Sequence, residues 1–146
     1  MSTGTVTVTP CDSNGTWLVT LHGEHDLATR PQLEQQTKMI WPCCKVAVID
    51  FSEVDFIDSG VVRWLLDAER SLETADGFTL SIVEGPPGSV ASRLFGMLRV
   101  PHVFACYPTR EEAFTLGVAG TRPLEWRPRR QQTHWDDDSQ RRHAGR

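Results

Sequence analysis

Apolar and polar positions alternate at first with a period of two. Thr5–Thr9 reads TVTVT and Thr16–His22 reads TWLVTLH, the alternation of half-buried strands. Asp12-Ser-Asn-Gly15 between them supplies turn residues, so the pair predicts a hairpin. The period then changes. Pro31–Ile40 carries Leu33, Thr37 and Ile40 at helical spacing, Pro31 suits a first helical position, and Trp41-Pro42 ends the run. Val46–Ile49 is a short unbroken apolar stretch, the pattern of a strand buried on both faces. Ser59–Glu73 predicts the clearest helix, with Val62, Leu65, Leu66 and Leu72 as its apolar stripe and Gly77 beyond its end. Phe78–Val83 predicts a strand, Gly85-Pro-Pro-Gly88 a loop, and Ser89 a cap for a helix carrying Val90, Leu94 and Leu98. Val103–Cys106 predicts the last strand. Thr109 and Glu112 then form a capping box for a helix that runs to about Val118.

This order, β-β-α-β-α-β-α-β-α, demands crossover connections. The expected fold class is α/β: one domain over residues 1–119, with a mixed, mostly parallel five-stranded sheet packed by about four helices. Charge changes the picture only at the C-terminal end. Residues 120–146 hold seven Arg against four acids, a net +3, with almost no aliphatic side chains, while the rest of the chain carries −7. Such a segment buries too little apolar surface to offset its ordering entropy, so a flexible Arg-rich tail is expected there. The overall charge of −4 argues against a general nucleic-acid binder. No apolar run approaches the roughly 20 residues of a membrane span. Met1–Pro10 has neither a basic region nor an apolar segment, so a cytoplasmic location is expected. Cys11, Cys43, Cys44 and Cys106 show no C-x-x-C spacing and read as free thiols.

One turn concentrates candidate chemistry. The Val46 strand is expected to lead into a loop with four carboxylates, Asp50, Glu53, Asp55 and Asp58, and then Ser59 at a helix start. Ligands and functional loops of α/β sheets gather beyond the carboxyl ends of strands. The simplest account of Ser59 is an N-cap. The functional account is a phosphoacceptor. A phosphate there would add about −1.5 to −2 charge, held by the helix N-terminus and opposed by the carboxylates, which changes the surface field while keeping the fold. Other signals are weaker. His22-x-x-His25 lacks metalloprotease spacing, Gly85-Pro-Pro-Gly88 is followed by no Gly-Lys-Ser/Thr, and Ser59 lacks the leading Gly of a nucleophile elbow. No metal, cofactor or catalytic residue is expected.

Asp55-Phe-Ile-Asp-Ser-Gly60 after a Val-rich strand resembles the STAS domain of bacterial anti-sigma factor antagonists. The resemblance spans residues ~5–118. Leu21-His-Gly-Glu-His-Asp26 with Thr29 looks like the family's Gly-Glu-x-Asp…Thr segment, Ser89–Val103 like its third helix, and Tyr107–Ala113 like its closing helix start. The family turn reads Asp-Ser-[Ser/Thr]-Gly-Leu, and this chain reads Asp58-Ser59-Gly60-Val61-Val62. The resemblance implies a binding protein without catalytic groups of its own. Unphosphorylated, it would bind an anti-sigma factor that is also a serine kinase, and phosphorylation at Ser59 would end that binding until a serine phosphatase restored it, so controlling sigma-factor-dependent transcription. Asp26, Asp58, Ser59 and Gly60 would then lie at the partner interface. Trp64 lies off the predicted stripe and is either an exposed interface anchor or a ring packed over the sheet edge. Two other readings stay open: a STAS scaffold or ligand-sensing module that is never phosphorylated, favoured by Gly60 and the unusual tail, and a small hydrolase or phosphotransferase using the Asp/Ser turn.

Overall fold

The computed structural model describes residues 4–73 and 79–117. The Arg-rich segment, and with it the boundary expected at residue 119, lies outside the described residues. Strand β1 (Thr5–Pro10) pairs antiparallel with β2 (Thr16–His25). Their turn is made by Asp12, whose carboxylate accepts from the backbone N–H of Asn14 (2.8 Å) and Thr16 (3.1 Å). Gly15 follows at φ +91°, a conformation that favours glycine, and its carbonyl accepts from the N–H of Lys45 and Val46. The hairpin turn thus anchors the start of β3 (Val46–Ile57), which pairs parallel with β2. Parallel β4 (Thr79–Val83) and β5 (Ala105–Tyr107) complete a five-stranded sheet in the order β1-β2-β3-β4-β5.

Parallel strands laid side by side in chain order, each joined by a right-handed crossover, send every crossover helix to the same face. Helices α1 (Arg30–Lys38), α2 (Ser59–Glu73) and α3 (Val90–Met97) accordingly share one core with the sheet. It joins Val19, Leu21, Ala47, Ile49, Phe51 and Ile82 of the strands to Leu33, Val61, Trp64, Leu65 and Phe95 of the helices. Phe51 and Phe95 meet edge to face, 4.9 Å between ring centres. The opposite face is covered by the C-terminal segment, where α5 (Arg110–Glu112) continues into a π-helical turn (Ala113–Gly117). There Val48, Val83, Ala105, Tyr107 and Ala113 form a smaller core. β3 is therefore buried on both faces, as its apolar run predicts.

Several expectations need correction. β3 continues to Ile57, so Asp50, Glu53 and Asp55 belong to a strand and not to a loop. Residues Val100–Val103 form a short helix, α4, before β5, so the described residues hold five α-helices where about four were expected. The buried stripe of α2 is Val61, Trp64, Leu65 and Ala68, with Val62 and Leu66 only half-buried.

Asp50 has no solvent exposure, yet it is an acid. Arg110 compensates it. Its Nε donates to Asp50 Oδ2, its Nη2 donates to Thr20 Oγ1 at 3.3 Å, and Asp50 Oδ1 accepts from Ser52 N–H at 2.8 Å. This pair fastens the C-terminal segment over the second face. Removing one partner of a buried ion pair leaves an uncompensated charge. Arg110 is itself half exposed, so Arg110→Ala is expected to destabilise the domain by about 2 kcal/mol in chemical denaturation, still beyond an ordinary surface substitution.

Candidate functional site

The carboxyl ends of β2 and β3 are stitched together where the candidate residues lie. Asp58 N–H donates to the His25 carbonyl at 3.2 Å, which brings the turn before α2 beside the loop before α1. Asp26 opens that second loop. Its Oδ1 accepts from Ala28 N–H (2.9 Å) and Thr29 N–H (3.3 Å), while its own N–H donates to Thr29 Oγ1 (3.0 Å). Asp26 and Thr29 thus lock one another, and Leu27 is left at the tip with 74% exposure.

His25 sits beneath this loop, 1% exposed. Its Nε2 lies 3.0 Å from the His22 carbonyl and 3.2 Å from the Thr5 carbonyl, so that nitrogen carries the proton. Burial pushes the His25 pKa down, opposed by those two carbonyls.

The start of α2 differs from the sequence expectation. Ser59 is not the cap. Asp58 is: its Oδ1 accepts from Gly60 N–H at 2.9 Å and its carbonyl accepts from Val61 N–H at 3.1 Å. Ser59 is the first helical residue, and it is exposed. Its hydroxyl is therefore free of a capping duty. Gly60 keeps the turn open. A Cβ there would stand 3.0 Å from Asp58 Oδ1, close enough to make the carboxylate shift by a few tenths of an ångström.

Asp26, Asp58, Ser59 and Gly60 are therefore brought together at one end of the sheet. Trp64 is not. It is 2% exposed and belongs to the core, because the stripe of α2 turns toward the sheet at 61, 64, 65 and 68. The expectation of Trp64 as an exposed partner anchor is corrected accordingly. Val61, 4% exposed, is likewise core. Of the other acids of the stretch, Asp50 is on the far face with Arg110, and Glu53 pairs with His22 at 3.0 Å. Among the described residues no group of His, Cys, Asp and Glu could hold a metal ion.

Sequence reasoning missed three residues of this end. Phe56, 49% exposed, stands in β3 opposite Glu24, one residue before the Ile57–His25 pair, and like Leu27 it leaves apolar surface exposed at this end of the sheet. Arg30 opens α1 and extends toward Gly60. Phe56 is legible only once β3 is known to extend past its apolar run.

A protein-family model, the STAS domain, matches residues 11–113. The chain belongs to the STAS domain family. A search of curated proteins finds no significant match. Among solved structures, an anti-sigma factor antagonist from Mycobacterium paratuberculosis is similar, with 26% identity, a TM-score of 0.69, and coverage of 80% of this chain and 95% of that one. The anti-sigma factor antagonist SpoIIAA in its unphosphorylated form shares the fold at 20% identity and a TM-score of 0.60, over 75% of this chain and 93% of that one. SpoIIAA of Bacillus in its phosphorylated form matches at 20% identity and a TM-score of 0.55, over 75% and 96%. As in the sequence, no helix among the described residues is long and apolar enough to cross a membrane.

Two outcomes follow from the geometry of this STAS domain. Asp58→Ala removes the cap and should cost about 1 kcal/mol in urea unfolding, whereas Ser59→Ala should stay within a few tenths. The second concerns pH. His25 folds with a depressed pKa, so its contribution to stability is complete above the unfolded value near 6.5 and is lost as pH falls below that toward the folded value. The urea midpoint should fall between pH 7 and pH 5, and fall less in His25→Gln, which has no ring to protonate.

Proposed function

We propose that this STAS domain is an anti-sigma factor antagonist that switches partners at Ser59. Unphosphorylated, it binds an anti-sigma factor with serine-kinase activity and so releases a sigma factor for transcription. In the kinase step the Ser59 Oγ–P bond forms as the bond from the γ-phosphorus of ATP to ADP breaks, and the hydroxyl proton is lost to solvent. A serine phosphatase reverses the modification. The domain contributes no catalytic group to either reaction.

The observation that carries this reading is the exposed, uncommitted Ser59 in the first turn of α2, on a domain similar to an anti-sigma factor antagonist over 95% of that protein's length. The surroundings support it. Leu27 and Phe56 offer apolar contact, while the Asp26 and Asp58 carboxylates are already bonded to backbone N–H groups. A phosphate of about −2 added beside them alters the field without undoing any bond that holds the fold. A hydrolase reading finds little support, since among the described residues no imidazole or carboxylate is hydrogen-bonded to Ser59 and His25 is engaged with two carbonyls.

A second reading, an unphosphorylated STAS scaffold or ligand-sensing module, is favoured by Gly60. It replaces the second hydroxyl residue of the family turn. Intact mass after incubation with the cognate kinase and ATP separates the two. The switch predicts a gain of one phosphate in wild type and none in Ser59→Ala. It also predicts that Ser59→Ala stays bound to the anti-sigma factor under ATP while Ser59→Asp binds at least about tenfold more weakly. Equal binding of both variants and an unchanged mass would leave the scaffold reading standing.

A further inference from the structure

Arg30 is placed to sense the state of residue 59. It is the first residue of α1, and its guanidinium reaches across to α2. Nε donates to Glu34 Oε1 at 2.8 Å and Nη2 to Asp67 Oδ2 at 3.4 Å. Nη1 points the other way. It lies 3.8 Å from where a Cβ on Gly60 would sit, against the residue that follows Ser59, and it makes no hydrogen bond among the described residues. The absent side chain at Gly60 leaves this approach open. The family turn carries a hydroxyl residue at that position, which would stand between the guanidinium and the helix start.

The present partners of Arg30 hold it loosely. Asp67 is half exposed, its contact is long, and it is shared with Arg63 at 3.9 Å. Exposed pairs of this kind hold their side chains only weakly. A phosphate on Ser59 is a stronger claimant. It carries three acceptor oxygens that match the planar guanidinium fork. Ser59 adjoins Gly60 in the first turn of α2, with Cα atoms about 3.8 Å apart, so the Arg30 guanidinium stands one residue from the phosphoacceptor.

We propose that Arg30 is the intramolecular receptor of a phosphate on Ser59, its guanidinium leaving Asp67 to grip the phosphate. This rests on the phosphoacceptor reading and extends it. Phosphorylation then does more than add charge at one point. It also frees the Asp67 carboxylate, exchanging one exposed ion pair between α1 and α2 while leaving their shared core intact, and shields the phosphate from Asp58. The altered surface covers the starts of both helices.

The test uses the full chain with phosphoserine incorporated at residue 59 during translation, in wild type, Arg30→Gln and Arg30→Lys. The second ionisation of the phosphate is followed by phosphorus NMR in 1 M salt, where the screening length is roughly 3 Å and only contact partners act. The surrounding Asp26, Asp58, Glu34, Arg63 and Asp67 are common to all three proteins. The midpoint is expected about one pH unit lower in wild type than in Arg30→Gln, with Arg30→Lys between them. Equal midpoints in wild type and Arg30→Gln would overturn the proposal, as would a difference seen only at low salt. Near-identical amide spectra of the unphosphorylated forms away from residues 30, 34 and 67 establish that the variants are folded. The same phosphoprotein tests the underlying reading separately. If it kept its anti-sigma partner, the switch would fail whatever the titration showed.

Discussion

The handedness of the parallel crossover governs this molecule. Four parallel strands, β2 to β5, laid in chain order and joined by three crossovers of the right-handed kind leave no choice of face for α1, α2 and α3. Two consequences follow. The carboxyl ends of β2 and β3 open side by side, so that Asp26 and Asp58 begin neighbouring loops and a single backbone bond from Asp58 to His25 joins them. The other face receives no crossover helix, and only the C-terminal segment is left to cover it. The buried Asp50 and its Arg110 partner belong to that second requirement, and the exposed Ser59 to the first.

The site is rigid where it is charged. Asp26 and Asp58 each bond backbone N–H groups within their own loop, and Thr29 reinforces the first of them. They shape the turn before they offer charge to anything else. What remains uncommitted is the Ser59 hydroxyl and the apolar surface of Leu27 and Phe56. In the proposed partner-switching role, a partner would meet a preformed surface with one modifiable group, which would keep the ordering cost of association small.

The element order and the mixed sheet were legible in the sequence because period-two and period-3.6 patterns alternate cleanly up to Thr109. The far half of β3 was not. After Phe51 its apolar positions are Val54, Phe56 and Ile57, and the register against β2 shifts twice, near Thr20–His22 and Gly23–Glu24, so strict alternation is lost. The start of α2 was ambiguous for another reason. Asp58 and Ser59 are both good caps, and only the phase of the following stripe decides between them. Val61, Trp64, Leu65 and Ala68 give the i, i+3, i+4, i+7 set that selects Asp58. Counting Trp64 as core would have fixed the phase. Arg30 carries no sequence signal at all, since its position next to Gly60 arises from packing between two helices.

The ion pair across the second face also has a temporal meaning. Each of β2 to β5 pairs with the strand made just before it, so the sheet can be laid down in order as the chain leaves the ribosome, each crossover spanning about twenty residues. Asp50 enters that sheet early, but Arg110 is synthesised sixty residues later. Until then the nascent sheet carries a carboxylate with no counter-charge and an uncovered apolar face. Docking of the segment that carries Arg110 supplies both the counter-charge and the cover that the second face lacks until then.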